Sequence, residues 1–338
     1  MTNKRLNGQF YTITNPFFSN EFMKWFENIP NFEKETILEP FAGSNNIVKM
    51  VQDLGYDNSW KAFDIEPGES CVEDVEISML DTISDFPTGY KVCITNPPYL
   101  AKNSAVRRKL PYLGGSFDDL YKQCIQLALN NCDYVAAIIP ESFITAGLFH
   151  ERLETVISLT CKMFSDTDCP VCLALFSPLK AKVENTGLDE NNFYIYSGSN
   201  YKIGTYADLQ KFFPVSTEKN SWKFNDPYGN IGIKCVDSNI KRSIQFIPGD
   251  EIDSKDIKIS SRAFTRISGL PDGIKLDKFL KKCNKILGEY RDNTYDAFLT
   301  SFKGLRKDGL FRRRLDFKTA RMIMDAACEE LTKEKKAA

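Results

Sequence analysis

Val92-Cys93-Ile94-Thr95, followed at once by Asn96-Pro97-Pro98-Tyr99, is the stretch on which the fold is decided. The first four residues read as a short buried strand. Pro97-Pro98 stop it, because proline fixes φ and has no N–H for a strand ladder. Working outward, runs of the same kind recur. Thr36-Ile37-Leu38 ends at Glu39-Pro40, residues 60–65 end on acids, and 134–139 and 171–176 are continuous apolar runs. Helical spacing is read over 47–54, 120–129 and 143–157. Strands alternating with helices predict an α/β chain with a mostly parallel sheet and helices on both faces. The pattern changes near Ser177-Pro178, where Asn, Gly, Tyr and Lys follow in irregular order and 187–201 and 228–232 are rich in turns. Helical spacing returns over 277–287 and 317–331. A boundary is therefore expected near residue 180, giving domains 1–180 and 181–338.

The tetrapeptide has its own chemistry. An exocyclic amino group on a nucleobase is a poor nucleophile, since its lone pair is delocalised into the ring. The side-chain carbonyl of Asn96 and the backbone carbonyl of Pro97 can accept a hydrogen bond from each of its N–H groups, and the prolines hold those carbonyls in place. Tyr99 adds a flat ring on which a base can stack. The plainer reading is a Pro-Pro turn at a strand end.

Three further features bear on a ligand. Glu39-Pro40-Phe41-Ala42-Gly43-Ser44 places small residues between a strand and a helix, where backbone N–H groups are free. It lacks three spaced glycines, which argues against a dinucleotide, and short turns of this kind are common. Asp64, within Phe63-Asp64-Ile65-Glu66-Pro67, ends the second strand and can take the two hydroxyls of a ribose; a solvated acid is the alternative. Asp81 can meet an adenine amino group or cap a helix ahead of Thr82.

Composition limits the classes. With 338 residues and 42% hydrophobic content, two domains fit better than one. The formal charge of −1 excludes a chain that is basic throughout, so any nucleic-acid surface must be local. From Ser301 to Ala338 there are eleven Lys/Arg against six Asp/Glu, a net of +5. Two basic clusters stand out. One holds Lys255, Lys258, Arg262 and Arg266. The other holds Lys303, Arg306, Lys307, Arg312, Arg313, Arg314 and Lys318, interleaved with Phe302, Phe311 and Phe317. Solvated helix faces are the bland explanation; phosphate or guanine contact is the sharper one. The ten cysteines form no secretory framework, Met1 to Gly8 are polar, and no apolar run is long enough to cross a bilayer, so a soluble cytoplasmic protein with free thiols is expected. Cys169-Pro170-Val171-Cys172 has no second pair for zinc, so no metal is expected. His150, the single histidine, reads as packing.

With these residues in hand, the sequence resembles the S-adenosylmethionine-dependent DNA amino-methyltransferases of bacterial restriction–modification systems. Gly8-Gln9-Phe10-Tyr11-Thr12 is similar to their N-terminal cofactor motif, Glu39 to Gly43 to their glycine motif, and Asn96 to Tyr99 to their catalytic tetrapeptide. Asp119-Leu120-Tyr121 resembles their next motif, and Phe164 is similar in place to an aromatic that packs on the extruded base. Ser44-Asn45-Asn46 departs from the pattern, standing where a second glycine is often found. The resemblance covers about residues 8–178. It implies a Rossmann-like catalytic domain and a smaller C-terminal α+β target-recognition region. By implication S-adenosylmethionine is held by Tyr11, Thr12, Glu39, Pro40, Ala42, Gly43, Asp64, Ile65 and Asp81, with Asn96, Pro97, Tyr99 and Phe164 catalytic. Arg262, Arg266, Lys303, Arg306 and Arg312 to Arg314 would contact DNA. The motif order is the gamma arrangement and, with Asn at the first position, implies adenine N6 as target. Double-stranded DNA is the expected partner, with a cognate restriction endonuclease acting on the same site, and a monomer is expected, although sequence alone establishes neither the nuclease nor the oligomeric state. Asn-Pro-Pro-Tyr also occurs in enzymes resembling ribosomal RNA and release-factor glutamine methyltransferases. A non-enzymatic nucleic-acid-binding protein on a decayed fold is the third reading. The N-terminal motif and the basic C-terminal region favour DNA.

Overall fold

A computed structural model describes residues 12–159, 161–165, 169–198, 201–238, 241–302 and 312–337. The chain divides into two compact units, 1–206 and 207–338. The first is built on one sheet. Its strands are β1 (Ile37–Glu39), β2 (Trp60–Asp64), β3 (Ile77–Met79), β4 (Val92–Thr95), β5 (Tyr134–Pro140), β6 (Leu153–Ser158), β7 (Val171–Phe176), β8 (Tyr194–Ser197) and β9 (Tyr201–Thr205), in spatial order β3-β2-β1-β4-β5-β7-β6-β8-β9. From β3 through β5 every neighbour is parallel; β7 then runs antiparallel to both β5 and β6. The fold is thus Rossmann-like α/β, as the alternation of strands and helices predicts. Continuous apolar runs gave the most buried strands: Val135 to Ile139 and Cys172 to Phe176 are fully enclosed. Helices α1 (Asn20–Glu27), α2 (Asn46–Gln52), α3 (Lys102–Arg108), α4 (Leu120–Asn131) and α5 (Leu179–Thr186) accompany the sheet. Ser19 caps α1 by accepting from the Phe22 N–H, and the apolar face of α1 buries Phe22, Trp25 and Phe26.

Two expectations are corrected. Residues 143–157 are not a helix. Glu141–Thr145 make one short 3-10 turn, Gly147 and Phe149 take left-handed φ of 66° and 57°, and Leu153–Ser158 is the strand β6. A left-handed residue ends a helix, and Thr155, Val156 and Ile157 are β-branched and sit well on a pleated surface. The division of the chain also falls at 206 rather than near 180. The stretch that reads as turns contains β8, which pairs with β6 in parallel, and β9, which pairs with β8.

The second unit is α+β. Strands β10 (Lys223–Phe224), β11 (Ile231–Lys234), β12 (Gln245–Pro248) and β13 (Phe264–Ser268) form an antiparallel sheet in the order β10-β13-β11-β12. Strands β14 (Thr300–Phe302) and β15 (Arg312–Arg314) pair as a ribbon. Helix α6 (Leu276–Thr294) packs against β12 and against α7 (Phe317–Ala337). Phe279, Cys283 and Leu287 on α6, with Ala320, Ile323, Met324 and Ala327 on α7, form the buried faces at helical spacing. Among the described residues no helix is long and apolar enough to cross a membrane, and no three His, Cys, Asp or Glu side chains are grouped to hold a metal. All ten cysteines are free thiols.

Candidate active-site cleft

The winding of the first sheet reverses between β1 and β4, and a crevice opens at the carboxyl ends of strands where such a reversal occurs. A cleft of ≈ 830 Å³, its open mouth included, lies there. Its wall brings together Thr12, Ala42, Gly43, Asp64, Ile65, Asp81 and Asn96, seven of the residues singled out from sequence. Six of them stand at the carboxyl ends of β1, β2, β3 and β4, and Thr12 comes from the stretch before α1.

The floor is the turn after β1. Gly43 has φ of 59°, which an L side chain rarely adopts. Its N–H donates to Asp64 Oδ2 at 2.8 Å, and the Glu66 N–H donates to Oδ1 at 2.8 Å. The carboxylate at the end of β2 is therefore oriented by backbone, with lone pairs left over for a further donor. The departure at Ser44-Asn45-Asn46 has a structural account. Asn45 occupies a left-handed position at φ 63°, which asparagine tolerates, and its Nδ2 donates to Ser70 Oγ and to the Val75 carbonyl, both at 2.8 Å. Asn46 lines the cleft and donates to the Thr12 carbonyl at 3.1 Å. Gly68 closes over the same turn; a Cβ there would come within 2.7 Å of the Gly43 carbonyl.

Glu39 and Pro40 stand behind the wall. Glu39 is fully buried; its Oε1 accepts from the Thr95 hydroxyl at 2.6 Å and the Phe41 N–H at 2.9 Å, while Oε2 has no partner among the described residues. Burial pushes this carboxyl up to about 8, and the charge of Asp64 acts in the same direction. It ties the turn after β1 to the residue before Asn96. The Pro40 carbonyl accepts from Thr82 Oγ1 at 2.8 Å. Asp81 combines two positions. It faces the cleft, and it caps a turn by accepting from Ile83 N–H and Ser84 Oγ.

Asn96 is half-buried at the cleft wall and donates through Nδ2 to Thr12 Oγ1 at 3.3 Å. Pro97 is buried and Pro98 lines the cleft. Tyr99 differs from expectation. Only 9% of it is exposed, and its ring stands edge-on to Tyr121 and Phe164, at 6.1 Å in each case. In this conformation it presents its hydroxyl rather than an open face. That hydroxyl lies 2.6 Å from Asn96 Oδ1 and 2.7 Å from the Ile138 carbonyl, so one proton serves two acceptors. Burial raises the phenol well above its ordinary range and keeps it a donor. Phe164 is fully enclosed, bridged through its backbone to Thr12. Asp119-Leu120-Tyr121 adjoins the tetrapeptide: the Leu120 N–H donates to the Leu100 carbonyl at 3.1 Å, and Asp119 pairs with Ala101.

Further residues line the cleft. Phe41, Asn46, Glu66 and Pro98 stand within the stretches quoted from sequence, whereas Ile47, Thr82, Ile83 and Leu113 had no ligand role there. Asn46, Glu66 and Thr82 adjoin residues already marked; Leu113 lies in a loop with no local signal. Tyr11, Lys303 and Arg306 lie outside the described residues. In the second unit Arg312 to Arg314 are a half-buried strand rather than a solvated helix face. Arg262 is exposed. Arg266 is partly buried and donates to the Gly229 carbonyl at 2.9 Å and the Ile252 carbonyl at 3.3 Å.

No family model matches the chain, and no curated protein matches it. Parts of solved structures are similar. A type I restriction-modification methyltransferase subunit from Streptococcus thermophilus is 15% identical with a TM-score of 0.37, over 56% of this chain and 47% of that one. A Listeria monocytogenes protein described as a class I S-adenosylmethionine-dependent methyltransferase is 14% identical with a TM-score of 0.41, over 58% and 67%. The EcoKI M protein is 13% identical with a TM-score of 0.34, over 81% and 69%. The chain thus spans about half the length of the Streptococcus subunit, 47%. At these values the likeness is one of partial chain course; the fold rests on the strand order and the site on its own geometry.

Proposed function

We propose that this chain transfers the methyl group of S-adenosylmethionine to adenine N6 in double-stranded DNA, at a specific site, as the modification arm of a restriction system. The observation that carries the reading is the convergence of Gly43, Asp64 and Asn96 on one cleft, from the ends of β1, β2 and β4. The cofactor fits the residues present. The turn of Ala42 and Gly43 has no side chain to block close approach, Asp64 retains acceptor capacity for ribose hydroxyls, and Ile65, 53% exposed, offers an apolar face for a flat ring. When bound, S-adenosylmethionine supplies an activated methyl sulfonium, so no basic side chain is needed to drive the transfer.

The chain's own residues do the positioning. Asn96 Oδ1 accepts from the amino group of the target, raising electron density on its nitrogen as the new bond forms. Tyr99 and Thr12 fix the amide of Asn96. A base inside a duplex must first be extruded, at a cost of a few kcal/mol, which assigns the second unit the task of gripping the duplex. The test is to express the chain in a host lacking adenine methylation and sequence its DNA by a method that reports N6-methyladenine. Methylation confined to one sequence motif is expected. Unmodified DNA, with methyl label found instead in RNA or protein, overturns the DNA assignment.

A further inference from the structure

The two basic clusters of the sequence meet in the second unit, and a third cation joins them. Phe224 on β10 stacks on Phe317 at the start of α7, ring centres 4.6 Å apart and planes 28° from parallel. The Arg321 guanidinium lies 5.1 Å from the Phe224 ring, the Arg262 guanidinium 5.3 Å from Phe317, and that of Arg314 6.0 Å from Phe317. Three stretches of chain thus deliver three guanidiniums to one pair of rings, within cation–π reach. Arg262 and Arg321 are exposed, and among the described residues no carboxylate forms an ion pair with either.

The unit also contains an arginine of the opposite kind. Arg291, 4% exposed, is held by Asp237 at 2.6 Å and Asp296 at 2.8 Å. A purely structural arginine here is enclosed and neutralised by two acids. On the phenyl pair the cations instead work against one another: burial lowers the Arg314 guanidinium, and the charge of Arg262 adds to that effect. The acid in the same segment, Asp316, draws on Arg314 and also caps α7 through the N–H and hydroxyl of Thr319. The two exposed guanidiniums, Arg262 and Arg321, have no ion-paired acid among the described residues and are the ones open to an anion.

We propose that Arg262, Arg314 and Arg321, mounted on Phe224 and Phe317, form a phosphate-binding surface that grips the backbone of duplex DNA. Guanidinium pairs bidentately with phosphate; Arg262 spends Nη1 on the Ser261 carbonyl at 2.8 Å, which leaves the edge formed by Nε and Nη2 for that pairing. The contact is with backbone and carries no base sequence. It rests on the DNA reading above for its partner, and on the arginine geometry alone for its location.

The experiment measures duplex binding by fluorescence anisotropy over a range of salt, using the full chain, Arg262→Ala, Arg321→Ala and the double variant. Each exposed arginine that neutralises a phosphate contributes about 0.9 to the slope of log affinity against log salt. We expect each single variant to lose about that much slope and to bind roughly 5- to 10-fold more weakly near physiological salt. S-adenosylmethionine affinity, read by calorimetry, stays at the wild-type value. Arg321→Lys keeps the slope but recovers only part of the affinity, because ammonium does not stack. Unchanged slope in both single variants overturns the surface. Inorganic phosphate binding that the variants abolish, with duplex slope intact, also overturns it and leaves a free-phosphate site. The two readings fail separately. Wild-type methylation of DNA with unaltered variant slopes removes only the surface; variant loss of duplex binding without any methyl transfer removes only the enzyme.

Discussion

The cleft of the first unit and the arginine platform of the second handle charge in opposite ways. In the cleft Asp64 is already oriented by the N–H groups of Gly43 and Glu66 and Asp81 by its own turn, and behind the wall Glu39 is held by Thr95 and Phe41. On the platform the guanidiniums lie on rings, with Arg262 and Arg314 in mutual repulsion. The first arrangement is finished before a ligand arrives, and the second is completed by one. Changes in the cleft should therefore act on the chemical step, on cofactor affinity or on stability, whereas changes on the platform should act on duplex affinity and its salt dependence.

Asn96→Ala tests this division most severely. Removing a preorganised group that acts in the transition state costs about 10²- to 10³-fold in rate. We expect a loss of that order in tritiated-methyl transfer while calorimetry finds cofactor affinity unchanged. Substantial residual turnover removes Asn96 from the chemistry and leaves the cleft a binding site only.

Glu39→Gln tests whether the buried link is an acid held neutral. The folded carboxyl titrates at about 8 against 4.5 ordinarily, so the folded state holds a proton that the unfolded chain releases. For a raised acid the sign is that stability is fully present below about 4.5 and is lost as pH rises toward 8. Glutamine keeps an acceptor for Thr95 and Phe41 without this penalty. The variant should be more stable than wild type by roughly 2–4 kcal/mol at pH 7, with the difference vanishing near pH 4.5. Urea melts at the two pH values measure it. A pH-independent difference shows that Glu39 stays ionised in the folded chain.

Much of the cleft was legible because its parts are local. Strand, turn and polar residue follow one another at 37–43, 60–65 and 92–99, so one-dimensional pattern was enough to place Gly43, Asp64 and Asn96. Tyr99 was misjudged because sequence marks a ring without saying that Tyr121, Phe164 and the Ile138 carbonyl enclose it. Residues 143–157 were misread because apolar spacing does not separate a helix from a turn leading into a buried strand; the left-handed Gly147 and Phe149 decided it. Even Gln126 and Asn130, bonded to one another on α4, follow helical spacing that sequence does show. The platform was invisible as a unit. Arg262 and Arg314 were marked in separate clusters, and nothing in one dimension announces that Phe224 stacks on Phe317 or that Arg321 joins them.

Asp64→Ala acts within the cleft but on binding rather than chemistry. The variant loses the carboxylate that Gly43 and Glu66 orient, and with it two acceptors for the cofactor. A hydrogen bond to a charged group is worth about 1.5–3 kcal/mol, so calorimetric affinity should fall by roughly 10- to 100-fold. Saturating S-adenosylmethionine should restore most of the transfer rate. Unchanged affinity places the ribose elsewhere and leaves Asp64 as the brace of the Gly43 turn.

Arg266→Ala is the smallest expected effect on DNA and the sharpest contrast with Arg321→Ala. Both are arginines of the second unit, and sequence marked only Arg266. Its Nε and Nη1 are spent on the Gly229 and Ile252 carbonyls, fixing the turn that carries Tyr228 against β13. A hydrogen bond from a charged donor to a backbone carbonyl within the same unit contributes to folding. Its loss should lower stability by about 1–3 kcal/mol in chemical melts. The salt slope of duplex binding should stay at the wild-type value, since no guanidinium edge is withdrawn from phosphate. A slope reduced by about 0.9, equal to that of Arg321→Ala, would instead extend the backbone contact from the phenyl pair across β13, so that the grip would be broader than three residues.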